Sequence, residues 1–234
     1  MTAASAALAL ALGCGRAPAM RLHYLPGFVP GSERVFRPAQ IAVVPADGVS
    51  AMGRVRVGGV YGEDGSLERP LYVEDLGRSV TGATIRALGD AGLKPVAAGP
   101  LRHGAASLPV GVDYVLNTSI EEAAIAKRFG AEQTVHGQYF VMRAKVRLKF
   151  TLASRSNPDL YTGEMTGSEE EPPAPVGGEI FLPLETDPQE SMSVALSRAV
   201  GALMLQGGFK DALAAATPSQ PPQVTPVPTP RTSP

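Results

Sequence analysis

Cysteine, tryptophan and net charge are what this 234-residue chain has least of, and each scarcity removes a class of function. With a single cysteine, Cys14, no intrachain disulfide can form and no thiolate cluster can hold zinc. The three histidines, His23, His103 and His136, are scattered, so neither a metal site nor a cofactor is expected from them. A net charge of −1 leaves no bulk positive field to hold nucleic acid. No apolar run reaches the roughly 20 residues that a helix needs to cross a bilayer.

Glycine and proline are plentiful instead, at 26 and 22 residues, and their excess has addresses. Seven of the prolines fall in residues 217–234, which can be neither helix nor central strand and read as a flexible polyproline-type tail. That tail either reaches a partner or the cell wall, or has no role. Hydrophobic residues at 44% and charged residues at 18% are enough for one packed interior between such segments.

Ala3 to Gly13 is an uncharged stretch of small and apolar residues, the length of a signal-peptide h-region. It ends in Ala11-Leu12-Gly13-Cys14, which resembles a bacterial lipobox. The resemblance implies cleavage before Cys14, a thioether-linked diacylglycerol on its sulfur and acylation of the new amine. Two or three chains anchor a protein stably where one does not. A residue other than Asp after the cysteine, here Gly15, points by the same resemblance to the inner leaflet of the outer membrane, facing the periplasm. The plain alternative is a buried thiol on an Ala-rich helix.

Residues 14–40, rich in Gly and Pro, read as a tether and extended lead-in, and residues 41–216 as the folded domain. Ile41 to Pro45 forms a strand, Val55 to Tyr61 a second or bulged edge strand, and Gly62 to Gly65 a turn. Apolar positions Val73, Leu76, Val80, Ala83, Ala87 and Ala91 predict a helix over 72–91, with Glu74 and Asp75 in its first turn and Gly92 as its stop. Arg78, Thr81 and Arg86 lie off that stripe. Leu93 to Ala98, carrying Pro95, reads as a strand near an edge, and Val112 to Ile120 as another strand.

The clearest pattern runs from Gln138 to Leu152, where even positions from Phe140 to Leu152 are apolar and Arg143, Lys145, Arg147 and Lys149 alternate with them. Such alternation means one face on a core and one in water. Leu160 to Ser168 returns as the second arm of a hairpin, whose residue pairs must have an odd sum, for example Phe150 with Tyr161 and Arg147 with Glu164. Glu169 to Leu184 reads as an acidic, Pro-rich loop with a short strand near Ile180. Asp187-Pro188-Gln189-Glu190 signals a helix start. That helix runs to about Gln206 and buries Met192, Ala195, Leu196, Ala199 and Leu203, and a short terminal helix follows from Phe209.

The expected fold is an α+β two-layer sandwich, its largely antiparallel sheet carrying two main helices on one face. The stretch from Val57 to Ala97, the stretch from Gly111 to Gly130 and the long basic strand, taken with the lipobox, resemble the YajG-like and ABC-type transport auxiliary lipoproteins. The resemblance implies a non-enzymatic envelope lipoprotein, bound to the membrane through its acyl chains and to protein partners in a lipid or solute transport complex. Two other readings stay open: a lipopolysaccharide-assembly type lipoprotein plugging an outer-membrane barrel, and an envelope hydrolase.

No nucleophile motif is present, and Gly58 to Gly65 lacks the Gly-Lys-Ser/Thr of a phosphate loop. Glu169-Glu170-Glu171 reads as a solvated run before Pro172. The strongest candidate for binding is therefore the ladder Arg143, Lys145, Arg147 and Lys149. It is either a face for an anionic ligand or acidic partner, or a water-facing strand surface balanced by Glu164 and its neighbours.

Overall fold

The computed structural model describes residues 18–28, 39–48, 51–99, 111–129, 139–175 and 187–215. Nine strands and three helices occur there in the order β1 (Ala19–Met20), β2 (Gln40–Val43), β3 (Asp47–Gly48), β4 (Arg54–Tyr61), β5 (Leu67–Glu74), α1 (Leu76–Asp90), β6 (Lys94–Ala97), β7 (Tyr114–Phe129), β8 (Tyr139–Ser154), β9 (Tyr161–Pro175), α2 (Pro188–Leu205) and α3 (Gly207–Ala215). Cys14, His103, His136 and the Pro-rich tail lie outside the described residues.

The fold is α+β: one mixed, open sheet with helices packed against it. Its long pairings, β4 with β5, β7 with β8 and β8 with β9, are antiparallel, and short parallel pairings attach β1, β2, β3 and β6. Strand β7 is the axis. One edge carries β8 along its whole length, while β2, β3 and β4 follow one another along the other edge, opposite Tyr114 to Leu116, Ser119 to Ile120 and Ile125 to Lys127. Pro45, which cannot donate to a ladder, falls in the first break between these pieces. At the β4 attachment Gly58 is required, since a β-carbon there would collide with the Ile125 carbonyl.

The alternation read in β8 is realised: Met142, Ala144, Val146, Leu148, Phe150 and Leu152 are buried. In β7 a bulge between Ile120 and Glu122 inserts one residue, so Leu116 and Ile120 before it and Ile125 after it all face the core. The β8–β9 hairpin keeps the expected odd sum but is shifted by one pair-step. Leu152 faces Tyr161, Phe150 faces Gly163, Arg147 faces Thr166 and Lys149 faces Glu164. Because side chains alternate sides, such a shift moves partners without exchanging faces.

Three elements depart from the sequence expectation. Helix α1 starts at Leu76, because Tyr72 to Glu74 are held in β5 by β4 and β1, and Asp75 turns the chain with φ 48°. Glu74 and Asp75 therefore precede the helix and are not in its first turn. Residues 169–175 are strand, paired with β8 past a bulge, where a loop was expected. Strand β7 continues to Phe129, well beyond Ile120.

Helix α2 follows its start signal, with Asp187 accepting a hydrogen bond from the Gln189 amide at 2.9 Å and Pro188 in the first turn. Two stripes of small residues organise its packing. Ala195 and Ala199 ride on Gly167 of β9, where any side chain would strike the helix backbone. Ser193, Ser197 and Gly201, spaced by four, form a groove for residues 18–28.

That lead-in segment is part of the fold. Met20, Leu22 and Tyr24 are buried in the main core, while Arg21 and His23 between them are exposed. Its backbone amides donate to α2: Arg21 to Gln189 Oε1 at 3.0 Å, His23 to Ser193 Oγ at 3.3 Å and Leu25 to Ser197 Oγ at 2.9 Å. The two hydroxyls donate in turn to the helix carbonyls of Gln189 and Ser193. On its other side Tyr24 Oη donates to Asp90 of α1 at 2.9 Å. This strap joins both helices.

Candidate functional site

The helices cover one side of the sheet, and the ladder Arg143, Lys145, Arg147 and Lys149 lies on the other, on the face opposite the buried even positions of β8. The structure brings carboxylates to it from both neighbouring strands. Arg143 pairs with Glu170 of β9 at 2.9 Å. Lys145 pairs with Glu122 of β7 at 2.9 Å, and Arg147 Nε lies 3.8 Å from the same carboxylate, within ion-pair but beyond hydrogen-bond range. The register sets Lys149 beside Glu164. Glu122 reaches the ladder only because the β7 bulge turns it to this face.

Two cation–π contacts extend the same face. Arg128 stands over the Tyr61 ring at 4.9 Å and Arg54 over Tyr72 at 4.2 Å. The result is a broad, water-facing sheet surface of alternating charge with flat aromatic supports. At such exposure each ion pair contributes little to folding, up to about 1 kcal/mol.

The glycine-rich stretch 58–65 joins β4 to β5 through a turn, with Gly62 N bonded to Ser66 O at 2.9 Å. Hydrogen bonds from the Ser66 side chain and then its backbone amide hold the Asp64 carboxyl below the usual carboxylate range. Of the glutamate run, Glu169 pairs with Arg198 of α2, and Glu170 with Arg143. Among the described residues, no three of His, Cys, Asp and Glu converge as metal ligands, and no helix is long and apolar enough to cross a membrane.

A second feature has only a partial signal in the sequence. A cleft of about 460 Å³ opens between the strap and the outer side of α1, lined by Arg21 and His23 from the strap, by Glu74 and Asp75 just ahead of the helix and by Arg78, Ser79 and Arg86 from the helix, with Gly82 between them. Its helical half was visible as Arg78, Gly82 and Arg86 at four-residue spacing. Its other wall was not, because it comes from a stretch whose alternation is only Met20 to Tyr24 long.

No family model and no curated protein matches this chain. Among solved structures, it is similar to protein XCC0632 of Xanthomonas campestris, of family DUF330, at 14% identity and a TM-score of 0.47, over 86% of this chain and 98% of that one. It is similar to a leucine-to-methionine variant of the PelC dodecamer of Paraburkholderia phytofirmans at 16% identity and a TM-score of 0.35, over 72% and 90% of the two chains. Lipoprotein GNA1162 of Neisseria meningitidis gives 18% identity and a TM-score of 0.30, over 57% and 85%. Each score is below 0.5, and none of the three defines the family or activity of this chain.

Proposed function

We propose that this chain is a lipid-anchored bacterial envelope lipoprotein, acting without catalysis as an adaptor or auxiliary subunit of a transport or envelope-assembly complex. One observation carries the reading: an apolar leader ends in Gly13-Cys14, the chain's single cysteine, and the first residues packed into the fold follow almost at once. A thiol in that place serves acylation, and nothing else in the sequence competes for it. The face of β8 then supplies the partner surface. Its cations already have carboxylate neighbours, so it suits a protein edge of alternating charge better than a polyanion, which would have to displace Glu122 and Glu170.

Mass spectrometry of the N-terminal peptide tests the anchor. The expected product starts at Cys14 with a diacylglycerol and an N-acyl chain, and Cys14→Ala abolishes both cleavage and membrane retention. An uncleaved, unlipidated N-terminus refutes the anchoring. For the partner face, detergent pull-down should recover a protein partner with the parent chain and lose it with Arg147→Glu/Lys149→Glu. Unchanged recovery with this folded variant removes the sheet face from the reading.

A further inference from the structure

We propose that the cleft between the strap and α1 is a binding site for the phosphate of an anionic lipid headgroup, belonging to the membrane that holds the acyl chains of Cys14. The proposal rests on the lipidation reading above and adds a second, non-covalent contact with the same bilayer.

The chemistry comes from three guanidinium groups. Arg78 and Arg86 make no ion pair or hydrogen bond among the described residues and are exposed at the cleft. They stand two helical turns apart, roughly 12 Å along the axis, a span that two long side chains can close over one phosphate. Between them is Gly82, with nothing within 4 Å of where a β-carbon would be, so the floor is open. Ser79 adds a hydroxyl donor at this floor. Arg21 enters from the opposite wall, paired with Glu74 at 3.0 Å but four-fifths exposed.

Two carboxylates share the lining, Glu74 paired with Arg21 and Asp75 accepting from the Gly53 amide at 3.3 Å, so three guanidinium groups face two carboxylates and the balance stays positive. Guanidinium forks match phosphate oxygens bidentately, which favours arginine over lysine for this task.

Position decides between lipid and free phosphate. The strap is fixed from Ala19, which pairs with Tyr72, so the backbone from Cys14 to Ala19 spans at most roughly 18 Å at about 3.6 Å per residue. The headgroup layer itself fills roughly 5–8 Å of that distance. Arg21 follows two residues after Ala19, so a tether well short of full extension brings it within a Debye length, about 8 Å, of the bilayer surface at physiological salt. An anchor this short on a strap bonded to both helices delivers the cleft to the headgroups.

The test uses the chain from residue 15 onward, which keeps every described element and carries no acyl chain. Co-sedimentation with vesicles of phosphatidylglycerol and phosphatidylcholine, against phosphatidylcholine alone, is measured at low and physiological salt. Binding is expected only with the anionic lipid and to weaken with salt. Arg78→Glu/Arg86→Glu should reduce it by roughly thirtyfold or more, at about 1 kcal/mol for each arginine lost near the surface. Gly82→Leu, which fills the floor without changing charge, should also reduce it, and Arg143→Glu/Lys149→Glu on the sheet face should not. Equal binding to phosphatidylcholine overturns the proposal, as does equal loss from the sheet-face variant, which would indicate bulk charge. Binding of glycerol phosphate in solution without vesicle binding assigns a free-phosphate site and overturns the lipid. Since the probe lacks Cys14, a failure of lipidation is read separately, by the mass spectrum.

Discussion

Thr118 shows how one atom can carry a cost that the fold accepts. Its side chain is buried in β7 beside Phe150 of β8, and its Oγ1 has no hydrogen-bond partner. Burying a hydroxyl without a partner costs about 1–3 kcal/mol, and valine has nearly the same shape. Thr118→Val should therefore raise the urea midpoint of unfolding with the m-value unchanged, corresponding to a gain of about 1 kcal/mol. A midpoint lowered by the exchange would mean that the hydroxyl is satisfied. Gly167 carries the opposite kind of constraint, since the absence of a side chain is what lets α2 touch β9. Both residues look unremarkable in the sequence, because their significance lies in what the fold places against them.

At the scale of elements, the alternation of β8 was legible in full, since period two with strong contrast leaves only one assignment. The parity of its hairpin was legible too, but the register was not. The turn from Arg155 to Leu160, tied by Ser154 and Asn157, chose the pairing. The strap had no signal of its own. Its alternation covers only Met20 to Tyr24, and the serines that receive it look like poor helix residues until their hydroxyls are seen bonded to strap amides.

The groove predicts its own failure. At Gly201 a β-carbon would lie 2.6 Å from the Phe28 carbonyl oxygen, so Gly201→Leu should lever the strap out. Hydrogen exchange should then accelerate at the amides of His23 and Leu25 while β7 and β8 stay protected, with a loss of about 2–5 kcal/mol for the apolar side chains uncovered. Uniform acceleration throughout the chain would mean that the strap is not a separate unit.

For the whole molecule, three tyrosines join different elements and report on the assembly together. Tyr24 links the strap to Asp90 of α1, Tyr114 of β7 donates to Leu213 O in α3 at 3.1 Å, and Tyr161 of β9 meets Phe209 of α3 edge-on at 5.5 Å. Burial pushes all three phenols above their ordinary range, reinforced for Tyr24 by its hydrogen bond to Asp90 and that carboxylate's charge, and for Tyr114 by the charge of Asp113. A pKa raised on folding favours the protonated form in the native state. The associated stability is therefore complete below the unfolded value of about 10 and is lost as pH rises above it. Unfolding free energy should show no tyrosine-linked loss from pH 7 to 9 and should fall beyond pH 10. Tyr24→Phe should make that fall shallower. An equally steep fall in this variant would place the alkaline sensitivity elsewhere.

The sequence by itself determined the layer architecture, the water-facing side of β8 and the start of α2. Each follows from local periodicity or local capping chemistry. Tertiary structure alone decided where α1 begins, which carboxylates meet the basic ladder and that the lead-in is a strap with a cleft beside it. The ladder illustrates the reason: Arg143 to Lys149 are spaced by the strand itself, whereas Glu122 and Glu170 reach them only through a bulge and a register. Long-range contacts depend on how faces of different elements fit, and no neighbouring residue encodes that fit.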